Sequence, residues 1–173
     1  CSWSRGLGDV YKRQGKKRQA YLGSEYIVES CRGHVQDLPG RGYPDRKQAN
    51  KAMWASKSDA LPEPPWAWTD HSGKSAQNTI KSMIAKAKKK KVETIYIATD
   101  PDREGEFIAW RLAEIFSDYN TKRVTFNEVT KNAILEAIET PREVDMNLVN
   151  AAKVRRYMDC LLYTSPSPRD HEQ

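Results

Sequence analysis

The chain has 173 residues, of which 38% are hydrophobic and 30% charged, with a formal net charge of +6 and a pI near 9.2. That suits one globular domain, or one and a fraction, and no apolar run approaches the length of a membrane-spanning helix. Its three cysteines, Cys1, Cys31 and Cys160, have neither metal-like nor disulfide-like spacing, which points to a reducing compartment. The positive charge permits an anionic partner such as nucleic acid without demanding one.

Both ends of the chain read differently from its middle. Residues 1–14 ("CSWSRGLGDVYKRQ") and residues 160–173, which end in "LLYTSPSPRDHEQ", fit no amphipathic period and join abruptly to well-patterned sequence. They resemble translated adapter or linker sequence; the alternative is ordinary disordered termini. The expected organisation is an α/β domain over 15–141 and the start of a following helical domain over 142–159.

From residue 25 the pattern alternates. "EYIVES" (25–30) is β-rich and predicts a short strand. Residues 40–76, with "LPEPPWAW" in the middle, read as a long irregular connection. In "AQNTIKSMIAKAKKKK", Ile80, Met83, Ile84 and Ala87 recur at helical spacing. The lysines at 88–91 favour that helix's dipole and face solvent, adding at most a diffuse attraction for DNA. "ETIYIATD" is apolar at nearly every position, as a strand buried on both faces should be. "GEFIAWRLAEIF" predicts a helix with Ile108, Leu112, Ile115 and Phe116 on one face, and "KRVTFNE" (122–128) a third strand. "TKNAILEAIETP" offers Thr130 as N-cap, Ile134, Ala137 and Ile138 as the buried stripe, and Pro141 as the stop. A last helix begins after a possible Asp145 cap. Strands alternating with helices predict a parallel α/β sheet.

The chemistry concentrates in "DPDREGE" (100–106), between the strand "TIYIAT" and the helix "EFIAWRLAEIF". That is the C-terminal edge of a strand, where ligands bind in open α/β sheets. Asp100, Asp102, Glu104 and Glu106 crowd into this turn. Two carboxylates about 4 Å apart repel by roughly 4 kcal/mol at an effective dielectric of about 20. The group must therefore splay into water or surround a cation. Pro101 stiffens the turn and Gly105 lets the backbone bend into the helix. Residues at i, i+2 and i+4 can converge oxygens on one point, and hard oxygen ligands with no His or Cys nearby suit Mg²⁺, which takes only one or two protein carboxylates directly. The opposing explanation is a solvated acidic turn, with Glu104 and Glu106 there for the helix dipole alone. Composition and spacing leave both open.

The full string "ATDPDREGEFIAW" resembles the signature of type IA DNA topoisomerases: the Asp-x-Asp motif of their Toprim domain, extended by Arg-Glu-Gly-Glu and an Ile-Ala-Trp helix. Three further segments match in order. "YLGSEYIVESCRGHVQDLP" (21–39) is similar to the family's second strand and Gly-His-x-x-Asp-Leu-Pro turn, in the form of the bacterial topoisomerase I branch. "RVTFNEVTKNAILEAI" (123–138) is similar to its Phe-Asn-Glu-Ile-Thr segment. "VNAAKVRRYMD" (149–159) is similar to the Arg-Arg-Phe-Met-Asp helix that opens the next domain.

The resemblance implies a Toprim, Rossmann-like parallel sheet flanked by helices, with its first strand missing. It implies a fragment of a monomeric, cytoplasmic, nucleoid-associated bacterial enzyme. Such enzymes relax negatively supercoiled DNA by transient single-strand cleavage, strand passage and religation, with Mg²⁺ and without ATP. Asp100, Asp102 and Glu104 would be the metal-binding triad. Glu106 would cap or buttress the helix, and Arg103 would support the acids or touch a phosphate. His34, Arg155, Arg156, Tyr157 and Asp159 would face a single DNA strand, arginine for phosphate and the aromatic for base stacking, with Arg155 and Asp159 paired at i,i+4.

Two departures stand out. The family's catalytic glutamate, in a Val-Glu-Ser-Pro-x-Lys motif on the first strand, would fall at Val10, and no such string is present. Neither Tyr157 nor Tyr163 has the context of the family's nucleophilic tyrosine, so the chain as it stands is expected not to cleave DNA. Two alternatives compete. A stand-alone Toprim-like nucleic-acid-binding or nuclease module would need its own first-strand glutamate. A haloacid-dehalogenase-type phosphotransferase would carry its Asp-x-Asp after the first strand, followed by Gly-Thr or a similar pair.

Overall fold

The computed structural model describes residues 26–31, 33–39, 63–71, 74–128 and 130–164. The expected leader over 1–14, the Val10 position, Tyr21–Glu25 and most of the 40–76 connection lie outside the described residues. The elements in chain order are β1 (Gln36–Asp37), β2 (Ala67–Trp68), β3 (Asp70–His71), β4 (Lys74–Ser75), α1 (Ala76–Lys89), β5 (Thr94–Ala98), α2 (Arg103–Ile115), β6 (Asn120–Val124), α3 (Lys131–Glu139) and α4 (Met146–Thr164). No described helix is long and apolar enough to cross a membrane.

The parallel α/β unit is β5–α2–β6. β5 and β6 pair in parallel from Thr94 opposite Asn120 to Ala98 opposite Val124. β1 pairs antiparallel with β2, and β3 with β4. Four readings from the sequence need correction. Residues 26–30 form no strand. The strand expected at 122–128 runs instead from Asn120 to Val124, because its partner β5 ends at Ala98, opposite Val124. The connection over 40–76 is not wholly irregular, since its described part carries β2, β3 and β4. β5 is also not buried on both faces: Ile97 is buried while Tyr96 is 36% exposed. Among the described residues it pairs with β6 alone.

The helices begin where their caps allow. The Thr130 hydroxyl accepts from Ala133 N at 3.3 Å, and Asp145 Oδ1 accepts from Asn147 N at 2.9 Å and Leu148 N at 3.3 Å. Each supplies one of the orphan-donor partners that a helix start needs. α3 ends two residues before Pro141. α4 runs through Cys160, so the tail expected from residue 160 begins inside a helix.

α2 is packed on two sides, which the one-face reading of its sequence missed. Ala109 and Leu112, with Phe116 just beyond the helix, join Val35, Ala76, Ile80 and Ile97 in one cluster. Phe107 and Trp110 join Val149 and Ala152 of α4 in another, with Trp66 packed against them. The second cluster is aromatic: the Trp66 ring lies edge-on to Phe107 at 5.4 Å and to Trp110 at 5.8 Å. Lys153 Nζ sits 3.8 Å over Trp110 and pairs with Glu63. The segment around Trp66 thereby fastens α4 to α2.

Candidate functional site

The acidic turn folds back on the helix it starts. Asp102 is the N-cap of α2, its Oδ1 accepting from Gly105 N at 2.6 Å. The Thr99 hydroxyl donates to the Gly105 carbonyl at 2.7 Å. Asp100, Asp102 and Arg103 are exposed, and Glu104 is half-exposed. The turn opens at the C-terminal end of β5, as the sequence predicts.

A basic wall stands against it. Gly33, at φ 49°, takes the left-handed backbone that glycine adopts freely and leads into His34. His34 Nε2 lies 3.2 Å from Glu104 Oε2 and 2.5 Å from Arg156 Nη2. Arg156 Nη2 donates to Glu104 at 2.8 Å, and its Nη1 donates to Asp37 Oδ2 at 2.5 Å. The Arg156 guanidinium also stacks 4.9 Å from the Phe107 ring centre, a favourable cation–π arrangement. Arg156 Nε is buried with no hydrogen-bond partner among the described residues. Residues from β1, the start of α2 and α4 thus meet at one place.

Glu106 points away from this surface. It is fully buried, and its carboxylate takes Arg123 Nε at 3.0 Å, Arg142 Nη2 at 2.5 Å and the Asp145 backbone N–H at 3.0 Å. Burial pushes its pKa up, but the hydrogen bonds from Arg142 and Asp145 and the charge of Arg123 outweigh that and hold it below the usual carboxylate value. Of the two roles expected of Glu106, capping falls to Asp102; the Glu106 carboxylate instead joins α2 to Arg123, Arg142 and the Asp145 backbone.

Other expected residues fall differently. Tyr157 is only 5% exposed and stacks on Trp66 at 6.5 Å. Burial in that aromatic cluster makes it a packing residue of α4 rather than an open stacking platform, and pushes its phenol well above the usual range. Arg155 and Asp159 are both exposed, and no ion pair joins them among the described residues. Arg103 makes none there either. Sequence reasoning missed Asp37 and Arg142 as partners. Asp37 is 119 residues from Arg156, and no local spacing signals such a pair.

Asp100, Asp102 and Glu104 bring only hard carboxylate oxygens to the turn, which fits Mg²⁺. They do not form a closed cage. Among the described residues no three His, Cys, Asp or Glu side chains converge as a metal-holding group, since Asp102 caps α2 and Glu104 is paired with Arg156. That arrangement fits an ion that keeps most of its water and takes one or two protein carboxylates directly.

Residues 12–129 match the Toprim domain family, and the chain belongs to that family. Its similarity extends to bacterial DNA topoisomerase 1. The Rickettsia typhi protein of that name is 37% identical over 162 residues, covering 90% of this chain and 19% of the relative. The Escherichia coli one is 38% identical over 174 residues, covering 90% of this chain and 20% of the relative. The structure of full-length Topoisomerase I from Thermotoga maritima aligns with a TM-score of 0.65 at 32% identity, covering 86% of this chain and 22% of that one. The chain thus spans about a fifth of the length of these relatives.

Proposed function

We propose that the chain is part of a type IA DNA topoisomerase and that its acidic turn is the Mg²⁺ site of that enzyme. The whole protein would relax negatively supercoiled DNA by cutting one strand, passing another through and resealing, without ATP. The observation that carries this reading is the juxtaposition of an acidic turn with a basic wall at a strand's C-terminal end, in a Toprim domain. Asp100 and Asp102, with Glu104 beside them, would hold Mg²⁺. The bound ion supplies positive charge to position and screen a phosphodiester.

The chain's own residues would do the rest. Arg156, oriented by Asp37 and Phe107, would hold a DNA phosphate beside the turn, and His34 would donate to the same backbone. Exposed Arg155 would add a phosphate contact on α4. Such contacts position a strand without reading its sequence. Glu104 would join the metal by exchanging Arg156 for it, the guanidinium passing to the incoming phosphate.

Calorimetric titration of Mg²⁺ into the wild-type chain and into a variant with Asp100, Asp102 and Glu104 all changed to Ala tests the assignment. Weak binding by the wild type and none by the triple variant is expected. Equal binding by both would remove the metal from this turn.

A further inference from the structure

Glu106 lies in the same turn as exposed Asp100 and Asp102 and half-exposed Glu104, yet its side chain is wholly buried. We infer that Glu106 is the positioning residue of the acidic turn: through Arg123 it holds the Asp100 backbone, and through Arg142 and Asp145 it ties that turn to the start of α4. The inference deepens the reading of the turn as a metal site and rests on it for its functional meaning, though not for its geometry.

Arg123 is the link. Its side chain is fully buried, and its guanidinium reaches three backbone carbonyls: Ile97 at 3.2 Å and Val124 at 2.5 Å through Nη1, and Asp100 at 2.9 Å through Nη2. These lie in β5, at the end of β6 and in the acidic turn itself. A guanidinium this deep is tenable only with a carboxylate beside it, because an unpaired buried charge is strongly destabilising. Glu106 is that carboxylate, with Oε1 2.9 Å from Arg123 Nη2. Removing its charge would force Arg123 to seek water, and the Asp100 carbonyl would lose its donor.

The same carboxylate reaches the other way. Arg142 binds it from a partly exposed position, and the Asp145 N–H donates to its Oε2. Backbone bonds between Arg123 and Arg142, at 3.0 and 2.8 Å, brace the two arginines. Two cations around one buried anion leave a net positive charge beneath the turn. That charge offsets repulsion among the exposed acids, a cation supplied by the fold before any metal arrives.

Glu106→Gln keeps the shape and removes the charge, and amide hydrogen exchange reads the result without requiring metal. In the folded variant the Gly105 and Glu106-position amides, bonded to Asp102, should exchange about tenfold faster, with β5 and β6 amides unchanged. Mg²⁺ affinity should fall by about tenfold, as is typical when an outer partner of a metal ligand is lost. Unchanged exchange at the turn, or a uniform rise across β5 and β6, would overturn the inference. If the wild type binds no Mg²⁺ but the turn still loosens in the variant, the metal reading fails and the positioning role stands. Should Glu106→Gln not fold, Arg142→Gln removes one partner from the partly exposed side. A rise of about threefold at the turn then supports the role, and no change overturns it.

Discussion

Gly105 shows how much of the acidic turn depends on one missing side chain. A Cβ there would lie 2.0 Å from the Asp100 carbonyl oxygen and 3.0 Å from its nitrogen. Both are backbone atoms, so neither can swing aside. The sequence reading assigned this glycine to a bend, but what the structure demands of it is space. Gly105→Ala should destabilise the fold by about 1–3 kcal/mol, the usual range for overpacking. Urea denaturation measures it, and an unchanged midpoint would mean that the turn can move without cost. His34 and Arg156 belong to this scale too. Each was singled out by its motif, yet their partnership with Glu104 required three distant segments to meet.

Among the elements, α2 and α4 carry the site between them. The periodicity of α2 correctly placed Leu112 and Phe116 in the core, but Phe107 and Trp110 face a second layer that only the docking of α4 creates. α4 owes its start to Asp145, whose side chain caps two backbone donors while its own N–H is held by Glu106. Asp145→Ala removes the first function and leaves the second. A loss of about 1 kcal/mol is expected, as for other N-caps, with hydrogen exchange at Gly105 unaltered. Thermal unfolding gives the first quantity; faster exchange at the turn would show that cap and carboxylate are not separable.

At the scale of the whole molecule, α2, β6 and the segment leading into α4 are joined through one buried carboxylate, so the fold should be sensitive to acid. The pKa of Glu106 is lowered in the folded state. Its contribution to stability is therefore fully present above the ordinary carboxylate pKa and is lost as pH falls through the lower folded value. Between about pH 6 and about pH 3 the wild type should lose resistance to urea, and Glu106→Gln should lose distinctly less. Parallel losses in the two proteins would place the acid sensitivity in other carboxylates.

What the linear chain carried was local. Helical periods, the Thr130 and Asp145 caps, the apolar run of β5 and the acidic turn all rest on interactions within a few residues, so spacing alone revealed them. Short strands such as β2 and β3 escaped notice because two residues hold no period. The β-rich composition of 26–30 misled for a related reason: β-propensity reports how side chains fit a pleated, half-buried surface, not a fixed preference of the backbone. Tertiary structure alone decided which charges are buried. Glu104 and Glu106 are nearly identical in sequence context, yet one faces Arg156 at the surface and the other Arg123 in the interior. The reason is geometric: two positions apart on a helix turn the side chains by about 200°, and only the packed fold says which side holds the arginine.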